Sequence, residues 1–357
     1  MKSNYEPLGK HIRLVDYRNS EEVTSTVLGI SIDKEFMPSV ANVIGTDLSR
    51  YKLISKGLFA CNPMHVGRDE RLPIALYEKD SPAIVSPAYF MFEIIDRDVL
   101  NEEYLMMWFR RPEFDRECWF MTDGSVRGGI TWDDLCRIKL PVPSYARQCE
   151  IVESYRAITD RIALKRAEND NLDATIYAKF QDMFQKNKEI LFSGEQLEDW
   201  CIKPLSFLAD FKYGKMATSE ILCEKGFPVY SGYRIVGYCN KYMFKEPQLV
   251  VLARGVSGTG EVRISPPCCH LTNLSIAVLL YDRTYINYLL YYLENDNLIS
   301  LDSGSAQSQI TINNLSMHKV MLPPYSKVVE FDNIAKQLRS IIDENNKEIE
   351  VLEELKK

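Results

Sequence analysis

The side chains with the most chemistry to offer are gathered in a few short polar stretches. Asn62, His65, Arg68 and Arg71 fall within one predicted loop, and Ser125 with Arg127 form a second stretch. Further along come Tyr230, Tyr233 and Arg234, then Arg254, Ser257, Thr259 and Arg263, then Asn273 after Thr272, then Gln307 and Gln309 around Ser308. Arg suits the paired acceptors of guanine and Asn or Gln the donor–acceptor edge of adenine, while hydroxyls and backbone amides suit phosphates. Each residue taken singly is more at home in a solvated loop. Taken as clusters, they suit contact with base edges and phosphates.

Catalytic patterns are absent by the same test. Ser265-Pro266-Pro267-Cys268 approaches the turn that holds a flipped base for amino-methylation, but it lacks the aromatic on which the base would stack. Leu322-Pro323-Pro324-Tyr325 lacks the polar group that would accept the amino hydrogen. The glycine-rich stretch 255–260 is not embedded in a strand–loop–helix with a following acidic residue, so it suits a structural or phosphate-facing turn better than a cofactor loop. No GxxxxGK(S/T) loop occurs, and none of His11, His65, His270 and His318 lies in an HExxH-like cluster. Cys268-Cys269-His270 lacks zinc-ligand spacing. The expectation is a chain without catalytic residues, metal or cofactor of its own.

Composition sets the frame. The chain has 357 residues, enough for two ordinary cores, with hydrophobic and charged fractions of a soluble globular protein. Nine cysteines without a CxxC pair suit reduced thiols, hence a cytoplasmic location. The polar stretch 1–14 is no signal peptide, and no apolar run approaches the roughly 20 residues that span a bilayer. Net charge is -7, but unevenly shared: 201–323 is slightly basic and 1–143 acidic. A protein binding DNA unaided would be more basic, so phosphate affinity would be shared with a partner.

What positions the polar clusters is a duplication. Residues 124–150 and 304–330 align without a gap at nine of 27 positions, among them Ile130/Ile310, Thr131/Thr311, Leu135/Leu315, Lys139/Lys319, Pro143/Pro323 and Tyr145/Tyr325. Each copy runs from a Gly-Ser turn through a short apolar run and a polar segment (Asp133-Asp134, Asn313-Asn314) suited to capping a helical turn. A short strand follows, then a proline stop and a long helix. A weaker echo joins Pro7-Leu8 to Pro204-Leu205. Strands are expected at 26–32, 58–61, 74–77 and 89–94, and again at 238–239, 249–252, 262–264 and 275–280, with helices at 104–111 and 286–293. The fold class is α/β (α+β) in tandem: globule 1–143, helix 144–193, globule 194–323, helix 324–357.

The helices carry heptad spacing. Ile151, Tyr155, Ile158, Ile162, Lys165, Asn169, Leu172, Ile176, Lys179 and Met183 step by four and three, as do Phe331, Ile334, Leu338, Ile341, Asn345, Glu348 (or Ile349), Leu352 and Leu355. Antiparallel pairing as a coiled coil would relate the globules by a pseudo-twofold axis and make the helices a ruler. Lys165, Asn169 and Asn345 are polar seam residues, which either fix register or mark a frayed, hydrated stretch.

With these features the chain resembles the specificity subunit of type I restriction–modification systems. The matching motifs are 62–68 (NPMHVGR) with 84–89 (IVSPAY), 253–260 (ARGVSGTG) and both repeat exits. In place of Ala306-Gln307-Ser308-Gln309 the first copy has Val126-Arg127-Gly128-Gly129. The resemblance implies two target-recognition domains carried on spacer helices, reading a bipartite, asymmetric double-stranded DNA target. It implies two modification subunits that bind S-adenosylmethionine and methylate adenine N6, and restriction subunits that use ATP and Mg. Three other readings stay open: a type II system whose partner fuses methylase and nuclease, a stand-alone coiled-coil DNA-binding regulator, and a scaffold of adaptor modules.

Overall fold

Turn residues punctuate the apolar runs every few positions, so the strands are short. The computed structural model describes residues 5–40, 45–64, 66–122, 128–193, 197–255, 258–301 and 309–356, and it divides into two compact units, Met1–Asp160 and Arg161–Lys357. The strands of the first unit are β1 (Tyr5–Pro7), β2 (Ile12–Leu14), β3 (Val27–Ile30), β4 (Phe36–Pro38), β5 (Lys52–Ile54), β6 (Phe59–Cys61), β7 (Ile74–Leu76), β8 (Ala83–Val85), β9 (Phe90–Ile94) and β10 (Lys139–Pro141). Its helices are α1 (Val66–Asp69), α2 (Glu102–Phe109), α3 (Pro112–Phe120), α4 (Trp132–Arg137) and the start of α5 (Tyr145–Phe180). One sheet has the order β2-β9-β6-β7, the other β4-β3-β8-β5, with β3 and β8 parallel.

The core of this unit is aromatic. Phe59 and Phe92 stack at 5.1 Å, and Phe109 of α2 meets Phe59 edge-on at 6.0 Å. Asn101 caps α2 by accepting from the backbone N–H of Glu103 and Tyr104. Buried Gln148, on the first turn of α5, accepts from Asn101 N–H and donates to the Val99 and Pro143 carbonyls. The long helix is thereby fixed to the globule it leaves. The helix α3 is an addition to the sequence-based expectation, started by Pro112 in its first turn, where a missing N–H costs nothing.

The second unit repeats this plan. After α5 come a π turn (Gln181–Gln185) and α6 (Lys186–Phe192). The strands are β11 (Cys201–Pro204), β12 (Ala209–Tyr213), β13 (Leu222–Cys223), β14 (Phe227–Tyr230), β15 (Ile235–Cys239), β16 (Leu249–Leu252), β17 (Val262–Ile264), β18 (His270–Leu271), β19 (Ser275–Leu280) and β20 (Lys319–Leu322), with helices α7 (Tyr285–Glu294), α8 (Ile312–Met317) and α9 (Tyr325–Lys356). The sheet β12-β19-β16-β17 is the counterpart of β2-β9-β6-β7. In β13-β15-β14-β18 the pair β14/β18 is parallel, as β3/β8 is, but the fourth strand attaches elsewhere.

The two echoes in the sequence meet in space within each unit. β1 pairs with β10, setting Pro7 against Lys139, and β11 pairs with β20, setting Pro204 against Lys319. Leu8 N–H donates to the Ile138 carbonyl at 2.8 Å, and Leu205 N–H to the His318 carbonyl at 2.8 Å. Each globule is closed by its first and last strands. The cap of the repeat adds Thr131 and Thr311 to the expected polar segment: their hydroxyls accept from the backbone N–H of Asp134 and Asn314, and the Asp134 carboxylate completes a capping box. A threonine in extended conformation just before the turn presents its oxygen to the free amides, and Asp134 inside the turn returns a bond to the Thr131 N–H.

Within the second unit α5 and α9 run antiparallel. Asn345 is 3% exposed and fully satisfied: its amide donates to Asn169 (2.8 Å) and Glu168 (3.1 Å), and its oxygen accepts from Lys165 (2.7 Å). Arg161–Glu348 and Arg166–Glu353 flank it. The polar seam residues are therefore paired, the register-fixing arrangement of the two read from the sequence. Ile162 and Ile176 are buried, Leu172 and Leu338 half-buried, Leu352 half-buried at the end of α9. In the first unit Ile151 packs on the core beside buried Val152, and Tyr155 and Ile158 are half-buried.

Two seam expectations are corrected. Ile341 is 40% exposed, and its neighbour Ile342 packs on the core, because the step from Leu338 is four residues. Lys179 is exposed, and the buried positions after Ile176 are Phe180 and Phe184, a spacing of four carried through the π turn. Phe180 and Phe184 meet Phe331 at 5.9 and 5.5 Å and Tyr288 at 6.0 and 4.8 Å.

The first unit also holds a buried ion pair. Lys34 Nζ lies 2.6 Å from Asp115 Oδ1 and 2.8 Å from the Leu72 carbonyl, and Leu72 N–H donates to the same carboxylate. This ties the β3–β4 turn and the loop before β7 to α3. Lys34→Met leaves Asp115 buried without its cation, a loss of about 3–5 kcal/mol. Chemical denaturation should show that loss, with Lys34→Met/Asp115→Leu recovering a good part of it; a single variant as stable as the parent would contradict the assignment.

Candidate functional site

In each unit the central strand of the first sheet (β6 or β16) runs out into a polar loop, and the repeat segment returns beside that loop. In the second unit Ile310 N–H donates to the Ala253 carbonyl at 2.8 Å, which places Gln309 next to the loop 253–260. Ala253 and Arg254 N–H both donate to the Leu274 carbonyl (2.8 and 3.2 Å), which draws in the turn 272–274. Thr272 N–H donates to the Tyr230 carbonyl (2.9 Å), and Ser275 Oγ donates to the Ser231 carbonyl (2.8 Å), which adds the hairpin tip with Tyr233 and Arg234. Arg254, Asn273, Gln309, Tyr233 and Arg234 thus come from four loops tied to one another by backbone bonds.

The first unit builds the corresponding place from corresponding parts. Ile130 N–H donates to the Pro63 carbonyl (3.1 Å) and Gly67 N–H to the Gly128 carbonyl (3.0 Å). The loop 62–71 is held by Asn62, whose side chain accepts from Met64 N–H, and by the short helix α1. Arg68 pairs with Asp69 through two contacts of 2.7 and 2.9 Å, and Arg71 with Asp33 at 3.1 Å. Both arginines are more than half exposed, so an anion can compete for them. The turn 86–89 was legible as a motif but not as part of the site. It connects β8 to β9 as 272–274 connects β18 to β19, and the Tyr89 hydroxyl accepts from the Ile30 backbone N–H of the neighbouring hairpin. Burial pushes the Tyr89 and Tyr230 hydroxyls up.

Other predicted residues have different places. Arg263 is on β17 and is held by Glu261 (2.9 Å) and by Glu294 of α7 (3.2 Å), beside Tyr291 and Arg339. Strand alternation turns it to the helices, away from the loops. Burial pushes the Glu294 carboxyl up, against the opposing pull of Arg263 and Arg339. Thr259 is buried, its hydroxyl donating to the Gly255 carbonyl. His65, Ser125, Arg127, Ser257 and Gln307 lie outside the described residues. His270 is buried with a ring nitrogen 2.9 Å from the Lys215 carbonyl. Among the described residues no three His, Cys, Asp or Glu side chains converge as metal ligands, and no helix is long and apolar enough to cross a membrane. None of the nine cysteines is in a disulfide, and burial pushes the Cys61 and Cys118 thiols up.

Residues 197–356 match the family model described as Type I restriction modification DNA specificity domain. In fold, the chain is similar to the S subunit of a type I restriction–modification system from M. genitalium, at 16% identity and a TM-score of 0.64, covering 99% of this chain and 94% of that one. A second solved chain, from work on complex assembly and conformational transition of the type I R-M system, aligns at 18% identity and a TM-score of 0.52, covering 99% and 95%. No match was found among curated proteins. The likeness to type I specificity subunits is thus one of sequence over the second half and of fold over the whole length.

The loop-to-repeat contact also leaves little room at Gly129. A Cβ at Gly129 would sit 2.8 Å from the Pro63 carbonyl oxygen, backbone against backbone. Gly129→Ala should lower stability by about 1–3 kcal/mol and speed amide exchange at Ile130 and Gly67. Unchanged stability and exchange would show that the loop is not seated on the repeat.

Proposed function

We propose that this chain is the DNA-reading subunit of a type I restriction–modification complex, without catalysis of its own. One observation carries the reading: the same four-loop site stands at the same place on both copies of a duplicated fold, with different side chains. A scaffold repeated under two unlike recognition surfaces suits a bipartite, asymmetric target, one half-site per unit. In the first unit Asn62, Arg68 and Arg71, with His65, Ser125 and Arg127, face one half-site. In the second, Arg254, Asn273, Gln309, Tyr233 and Arg234, with Ser257 and Gln307, face the other. Arg offers a bidentate match to guanine and Asn or Gln to adenine, each worth about 1–3 kcal/mol of discrimination. The partners are two modification subunits, which bring S-adenosylmethionine and methylate adenine N6, and restriction subunits, which bring ATP and Mg. The complex works in the cytoplasm, and the long helices set the gap between half-sites and offer the docking surface.

Exchanging residues 201–323 for the matching segment of a relative should alter one half of the methylated motif and leave the other intact, as read by methylome sequencing of cells that also carry the modification subunit. A change in both halves would overturn the one-unit, one-half-site assignment.

The spacer role has its own test. Four helix-forming residues inserted between Asp160 and Arg161, where the two units divide, add about 6 Å of rise and about 400° of rotation. The α5–α9 contacts from Arg161 onward keep their register. The motif should keep both halves and gain one or two bases in its gap, at about 3.4 Å per step. Two inserted residues rotate the preceding unit by about 200° and should abolish modification. Retained activity with an unchanged gap would show that the helix does not set the spacing.

A further inference from the structure

The two units treat their cations differently. In the first, among the described residues, every lysine and arginine except Lys79, Arg110 and Lys139 is in an ion pair. In the second, the stretch 212–245 holds Lys212, Lys215, Lys225, Arg234, Lys241 and Lys245 against only Glu220 and Glu224. All six cations are exposed, and none is in an ion pair among the described residues.

Three lie along the sheet β13-β15-β14-β18, and Lys212, Lys215 and Lys245 lie on β12 and the segments beside it. Lys225 lies in the turn between β13 and β14, and Lys241 just after β15, at one end of the hairpin; Arg234 is at its opposite tip. Lys215 N–H donates to the Leu271 carbonyl at the end of β18, and Lys212 stands over the Phe244 ring at 5.9 Å, next to Lys245. From Arg234 to Lys241 the chain covers about 23 Å, the length of about seven base-pair steps. Between the cations the hairpin exposes apolar surface: Tyr233 is 62% exposed, Val236 52%, Ile235 48% and Tyr238 43%. The corresponding hairpin of the first unit has the opposite character, with Lys34 buried on Asp115 and Asp33 holding Arg71.

Resting on the DNA-reading role proposed above, we infer that the sheet β13–β15–β14 of the second unit is a backbone-anchoring surface for duplex DNA beside the loops that read bases. The five lysines face phosphates, and Tyr233, at the tip it shares with Arg234, contributes an apolar contact. The occupant follows from charge and continuity: the surface is cationic, and its tip is bonded through Ser231 and Ser275 to the loop site of a DNA specificity domain. Binding is therefore asymmetric, with the second unit supplying most of the salt-sensitive affinity.

The test uses the full-length chain and a 40-base-pair mixed-sequence duplex, followed by fluorescence anisotropy over a range of salt. Lys215→Gln/Lys225→Gln/Lys241→Gln should flatten the slope of log affinity against log salt by about three, whereas Lys79→Gln/Arg110→Gln/Lys139→Gln should leave it near the parent value. Tyr233→Ala should weaken binding about fivefold or more with the slope unchanged. Circular dichroism melts confirm that these exposed substitutions leave the fold intact. Equal flattening by both triple variants would overturn the proposal, since net charge alone would then explain binding. So would a 215/225/241 variant that binds the duplex normally but no longer co-purifies with modification subunits, which would make the surface a protein-docking face. Arg254→Ala, read by methylome sequencing, tests the base-reading loops separately: motif loss with normal slopes in the lysine variants defeats the anchor and keeps the reading.

Discussion

Much of this structure depends on one backbone hydrogen bond made twice. Ile130 N–H to the Pro63 carbonyl, and Ile310 N–H to the Ala253 carbonyl, join the start of each repeat to the loop leaving the central strand. Without it the polar loop would be a free excursion with its backbone groups solvated, and its side chains would have no common place. With it, the segment that leads through the Thr cap and exit strand into the long helix also supports that polar loop. The helix, the closing strand pair and the site are then one mechanical unit. A continuous path from the polar loop to the long helix runs through α4 or α8 and the pairs β1/β10 or β11/β20.

A good part of this was legible because duplication leaves its mark in sequence. The repeat 124–150/304–330 and the Pro-Leu echo located the closing strands and the helix starts, and the structure joins them within each unit through Pro7/Lys139 and Pro204/Lys319. The polar clusters were legible as clusters, because loops gather Arg, Asn, Gln and Gly. Their assembly was not, since it depends on which strands neighbour which: only the sheet orders bring 230–234 and 272–274 beside 253–260. Arg263 was grouped with Arg254 by sequence distance, yet strand alternation sends it to Glu294 of α7. Ile341 and Ile342 show the limit of heptad reading, because adjacent isoleucines satisfy either order of three and four.

The polar seam shows where structure decides between two readings that the sequence leaves level. Asn345 is buried with donors and acceptor all engaged by Asn169, Glu168 and Lys165. A hydrated, frayed stretch would leave them to water. A buried, fully paired amide punishes any slip of α9 along α5, since a shift of even one turn strands it among apolar side chains.

The most direct measurement of the central claim is hydrogen–deuterium exchange on the assembled modification complex, with and without its cognate duplex. The account predicts added protection in both units at once, over 62–71 and 86–89 in the first and over 231–234, 253–260 and 272–274 in the second, with the sequence-unrelated duplex protecting these loops far less. Protection confined to the long helices, or to one unit alone, would contradict it.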